Sequence, residues 1–159
     1  MTFSLRRPFV LPAVALLSAC AACSATDAPA GPAVPTPSAR QAVLCRALHG
    51  ELPAEVDGLK KRATDPVSDF TAAWGGGPSV TLRCGVPKSA VVARATNAVE
   101  IDGISWVPEE LRDGSVRCTT VLREATVEVT LPKETSGGFG ALSDLAEAIR
   151  KTVPEGIAG

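Results

Sequence analysis

The sequence has no tyrosine, one histidine and one methionine, and aromatic side chains make up 4% of its 159 residues. This thins the usual stock of acid–base groups and excludes several chemistries. With His49 alone, no H-E-x-x-H motif can be written, and no zinc site with two histidines. No nucleophile-elbow serine is present either. Basic residues show no excess: 16 stand against 17 acidic ones, so the basic face of a nucleic-acid binder is lacking. No apolar run approaches the roughly 20 residues that a membrane-spanning helix needs. No internal repeat is visible.

What the chain does have is a distinctive front. Arg6 and Arg7 precede Phe9–Leu17, nine residues without charge, and small residues follow. A basic start, a short apolar stretch and a small-residue exit make a secretory signal peptide, predicted over residues 1–19. The exit reads Leu17-Ser18-Ala19-Cys20 and resembles the bacterial lipoprotein box. In such proteins the cysteine thiol takes a diacylglyceryl group, and cleavage just before it creates a new N-terminus. Cys20 is therefore the predicted lipidation site. Two acyl chains give stable anchoring where one binds only marginally. Cys23 is a poorer acceptor, because Cys20 would occupy the place of the leucine. A metal or redox C-x-x-C would need further ligands or a folded strand before it, and here only a signal peptide precedes it.

Residues 20–39, "CAACSATDAPAGPAVPTPSA", carry almost no large apolar side chain and are read as a tether. As a flexible chain they would reach roughly 25 Å. Residues 40–159 are one domain's worth of sequence. Without Arg6 and Arg7 the basic residues fall to 14 against 17 acidic, a net charge of −3.

Within the domain, Ser38-Ala39-Arg40-Gln41 has capping-box spacing, and the apolar residues after it predict a helix over about 39–50, ended by Gly50. Pro53, with Leu52, Val56 and Leu59 on one side, predicts a second short helix whose solvated end is Lys60-Lys61-Arg62. Alternation then predicts strands about Phe70–Trp74 and Val80–Val86, joined by the Gly75–Pro78 loop. Asp102-Gly103 is a primed hairpin turn that pairs Ile101 with Ile104 and Val99 with Trp106. Pro108–Gly114 reads as a helical turn. Strands about Val116–Leu122 and Thr126–Leu131 follow, and Phe139, Leu142, Leu145, Ala146, Ile149 and Val153 predict a last helix stopped at Pro154. The expected fold is α+β: one domain, an antiparallel sheet of five or six strands, and terminal helices on one face.

Export makes disulfides plausible. Cys84 shares the inward face of its strand with Val80 and Leu82, and a helix lying there would bring Cys45 to it. Cys45–Cys84 is the favoured pair, and Cys84–Cys118 remains open as a bridge between strands. Unpaired, Cys118 would be a buried thiol acting as a small hydrophobe.

The segments "LCRALHGELP", "SDFTAAWG", "VTLRCGVP", "ISWVPEE" and "EVTLPK" resemble, in order, an actinobacterial family of secreted lipoproteins known as domain of unknown function 3515. The resemblance covers nearly all of residues 40–155. It implies the Cys45–Cys84 pairing, since both positions fall in the family's cysteine-bearing motifs, and it supplies no activity.

The remaining candidates for chemistry are weak. His49 has no acid or nucleophile at a recognisable spacing, so capping the helix end is its expected role. On a helical turn Glu109 and Glu110 would diverge. Gly137-Gly138-Phe139-Gly140 lacks the Gly-Lys-Ser/Thr of a phosphate loop and reads as a hinge. One surface stands out: Arg83, Arg117, Thr119, Arg123, Thr126, Glu128 and Thr130 occupy the outward alternation of three strands. Such residues make either a solvated face with cross-strand charge pairs or a binding face for an anionic envelope polymer or a protein partner. Trp74 and Trp106 are candidates for stacking on sugars at its edge. No cofactor, metal or nucleic-acid partner is expected. The functional expectation is a lipid-anchored accessory or binding module on the extracytoplasmic face of the cell membrane. The alternative is an envelope hydrolase with an unrecognised site.

Overall fold

Helix α1 (Ala39–Glu51) begins where the capping pattern places it, with Ser38 Oγ accepting from the Gln41 backbone N–H at 3.4 Å. It runs through Gly50 and stops at Leu52, which is extended and precedes Pro53. The computed structural model describes residues 31–135 and 138–158. The predicted signal peptide, Cys20, Cys23, the predicted tether up to residue 30 and Gly137 lie outside the described residues.

The predicted second helix is instead a hairpin, β1 (Glu55–Val56) and β2 (Leu59–Arg62), with Val56 paired to Leu59. Its turn is Asp57-Gly58, both residues at positive φ (50° and 72°). Asp102-Gly103, between β5 (Val99–Ile101) and β6 (Ile104–Glu110), has nearly the same backbone, with φ of 48° and 76°. Both are primed turns, whose twist suits a two-residue hairpin. Spacings of four and three between Leu52, Val56 and Leu59 imitate a helix, but the Asp-Gly pair decides for strands.

The second hairpin keeps its predicted register: Ile101 faces Ile104 and Val99 faces Trp106. Strand β6 runs straight through Pro108, so the predicted helical turn is also replaced by strand. Pro108 lies beyond the last pairing with β5, where β6 has become an edge and a missing N–H donor is tolerated. Strands β3 (Thr71–Trp74), β4 (Val80–Cys84), β7 (Val116–Thr120) and β8 (Val127–Leu131) complete the set.

The sheet therefore has eight strands rather than five or six, in the order β1-β2-β3-β4-β8-β7-β6-β5, with every pairing antiparallel. It consists of two four-stranded meanders whose last strands, β4 and β8, pair with each other. Helix α1 precedes the first meander and a short helix, α2 (Ala90–Arg94), precedes the second. The α+β class, the single domain and the helices at both ends are as expected.

One face of the sheet carries the core. Trp74, Val80, Leu82, Ile104, Trp106, Cys118, Val127, Val129 and Leu131 are buried there against Leu48 of α1 and Leu142, Leu145 and Ile149 of α3 (Gly140–Thr152). Both tryptophans are fully buried, which removes them as stacking platforms for sugars. Phe139 stands just outside α3 and is 40% exposed, so it is not part of that helix's apolar stripe. The chain before α1 runs extended along the domain: Pro35 is buried, and the Ala33 carbonyl accepts from Arg83 Nε at 2.8 Å. Gly85, at φ +83°, lies so close to Pro37 that any side chain would collide with the ring.

At Gly58 nothing lies within 4 Å of where a Cβ would stand, so Gly58→Ala isolates the backbone cost of positive φ. Urea denaturation is expected to show a loss of about 1 kcal/mol, with the same strand content by circular dichroism.

Candidate functional site

The predicted polar face forms around Glu128 of β8. Register puts it directly across from Arg83 on β4 and from Thr119 on β7. Arg83 Nη1 lies 2.9 Å from Glu128 Oε1, and Arg117 Nε lies 3.6 Å from the other carboxylate oxygen. Arg117 Nη1 in turn reaches Glu109 Oε2 at 3.7 Å, one strand further across. The result is a ladder of alternating charge, Arg83–Glu128–Arg117–Glu109, over four adjacent strands. It is internally neutral, with Glu128 shielded at its centre and the other three side chains partly exposed. Thr119 is buried beside it, and Thr130 is partly exposed. Glu109 and Glu110, predicted to diverge on a helix, alternate along a strand, and only Glu109 joins the ladder.

Arg123 does not belong to this surface. Strand β7 ends at Thr120, and Arg123 sits in the following loop, 6% exposed. Its guanidinium donates to the Val153 carbonyl at 3.1 Å and the Gly103 carbonyl at 2.9 Å, and Glu155 lies 3.8 Å away. It thus joins the end of α3 to the second Asp-Gly turn, a structural role that strand alternation hides. Thr126 also leaves the face: it precedes β8, is 1% exposed, and its hydroxyl has no partner among the described residues.

The cysteines resolve as the favoured pairing. Cys45 of α1 and Cys84 of β4 form a disulfide with Cα atoms 5.5 Å apart. By closing a segment of sequence separation 39, it contributes about 4 kcal/mol in the chain-entropy model. Cys118 is free and fully buried in the core, and burial pushes its thiol up to about 11. A thiol held protonated inside a core is unfit as a nucleophile.

Residues 8–158 match the family model described as Protein of unknown function (DUF3515). The chain belongs to this family. No curated protein and no solved structure matches it. The five segments that resemble DUF3515 fall on α1, β3, β4, β6 and β8. The disulfide joins the first of them to the third.

His49 lies in the last turn of α1. Its ring borders a cavity shared with Lys61 of β2, and its Nδ1 is buried without a partner. Burial first, then the Lys61 charge, lowers its pKa from the ordinary histidine value; Asp69 and the Thr71 backbone oppose the shift. Sequence reasoning missed this association because it placed Lys61 on the solvated end of a helix.

Two outcomes test this description. Alkylation of native protein at pH 8 is expected to leave Cys118 unmodified, as read by peptide mapping, and unfolding should expose it. Arg123→Met, which keeps bulk but strips two carbonyls of their charged donor, is expected to lower stability by about 2–3 kcal/mol in chemical denaturation.

Proposed function

We propose that this DUF3515 protein is a lipoprotein of the cell envelope, anchored through Cys20 on the extracytoplasmic face of the membrane, and that it acts by binding. The observation that carries this reading is the Leu17-Ser18-Ala19-Cys20 box, directly behind a basic, then apolar, leader. Diacylglyceryl transfer to the Cys20 thiol and cleavage before it would leave the domain on a proline-rich leash. The Cys45–Cys84 disulfide supports export, since such bonds persist where thiols are not kept reduced.

The ladder Arg83–Glu128–Arg117–Glu109 bears on the choice of partner. An anionic cell-wall polymer would need cations not already spoken for, whereas each arginine of the ladder faces a carboxylate. Alternating charge complements the equally alternating surface of a protein, so an envelope protein is the partner favoured. Binding, rather than hydrolysis, is favoured by the position of the candidate groups. Cys118 is in the core, and His49 lies at the end of α1 beside β2.

Expression of the full chain in a host with lipoprotein-processing enzymes tests the anchor. The mature protein is expected in the membrane fraction, with a diacylated Cys20 at its N-terminus by mass spectrometry. Cys20→Ser is expected to abolish both. An unmodified or uncleaved start in the parent protein would sink the reading.

A further inference from the structure

The last turn of α1, strand β2 and the loop 63–70 line an open pocket of about 340 Å³. Its polar lining comes from His49, Lys61, Thr64, Ser68 and Thr71, and Val67 and Ala72 supply an apolar wall. Three observations make it more than a surface dent. Lys61 is half-buried yet enters none of the ion pairs among the described residues. His49 Nδ1 is buried with no hydrogen-bond partner. The Thr64 and Thr71 hydroxyls lie 3.2 Å apart, so one donates to the other and only one of the two protons is used between them. Arg62 is not available in the same way, because its guanidinium donates to the Gly75 and Ala63 carbonyls at 2.7 and 3.2 Å.

The geometry points to a binding site for a small aliphatic carboxylate. Lys61 is the cation of the lining whose side-chain donors make no hydrogen bond or ion pair among the described residues, so its ammonium is free to pair with a carboxylate. The remaining hydroxyl proton is a second donor, and the apolar wall takes the alkyl part. A carboxylate here would also favour the charged imidazole through its negative charge. The charged groups facing His49 are Lys61 on β2 and Asp69 on the loop, the latter also 4.0 Å from Arg46. Burial and Lys61 hold the ring below its usual pKa, so an arriving anion would act against both. The inference names a ligand class for the binding role proposed above, but does not depend on the anchor. A protein that proved unlipidated would leave it standing, and an empty cavity would leave the lipoprotein reading standing.

His49 is the one histidine of the chain, so its imidazole signals report on the site without assignment ambiguity. The probe is sodium isobutyrate, added near pH 6 to the full-length protein in detergent and followed by two-dimensional NMR. The His49 resonances are expected to shift saturably, and the titration midpoint of the ring to rise by roughly half a pH unit at saturation. Lys61→Met should weaken binding at least about fivefold, a loss of about 1 kcal/mol. Lys88→Met, outside this cavity, should leave binding unchanged. If Lys61→Met lost native dispersion, Lys61→Gln would be read in its place. The absence of a saturable shift, unaltered binding in the Lys61 variant, or equal affinity for neutral isobutyramide would each overturn the assignment.

Discussion

The pairing of β4 with β8 is the constraint on which the rest of the molecule depends. Each meander is built from local hairpins, and within the sheet it is this seam that joins the first half of the chain to the second. It is secured on both faces. On the core side Leu82 lies opposite Val129 and Cys84 opposite Val127, with the disulfide fastening Cys84 to α1. On the other side Arg83 meets Glu128 at 2.9 Å. Sliding β4 by one residue along β8 would turn Leu82 outward and bury Arg83 in the core. Apolar packing, a covalent link and a shielded ion pair thus enforce the same register.

Much of this was legible in the sequence where a local signal had no rival. The Ser38 cap, the Asp102-Gly103 register and the stripe of α3 follow from turn chemistry and periodicity alone. The disulfide was favoured by face alternation and by the family resemblance. The failures came where two signals competed. Between Leu52 and Leu59 a helical spacing of apolar residues overlies an Asp-Gly turn, and the turn prevails because both its residues adopt positive φ. At Pro108-Glu109-Glu110 the composition imitates a helix start, yet the β6–β7 ladder runs on past the proline. Reading both stretches as helical concealed β1 and β2 and shortened β6.

The site was harder still. Alternation correctly gathered Arg83, Arg117 and Glu128, but could not say that they form ion pairs with one another. It wrongly included Arg123, whose partners, the Val153 and Gly103 carbonyls, are brought to it only by the folded ends of α3 and the second hairpin. The His49–Lys61 cavity was invisible for a related reason. It exists only because β2 is a strand that carries Lys61 alongside the end of α1. The order α-β-β-β-β also occurs twice along the chain without any sequence repeat. Beyond the shared Asp-Gly turn, the two halves meet the same requirements with different residues.

The extended stretch ahead of α1 has a mechanical corollary. Residues 33–37 touch Arg83 and Gly85, at the end of a central strand, rather than leaving from a frayed edge. Tension arriving through residue 31 would load its backbone bond to Asp65, then those contacts, and then the covalent Cys45–Cys84 strut behind them. The sheet would feel it as shear distributed over several strands, which resists far better than an outer ribbon unzipping one bond at a time.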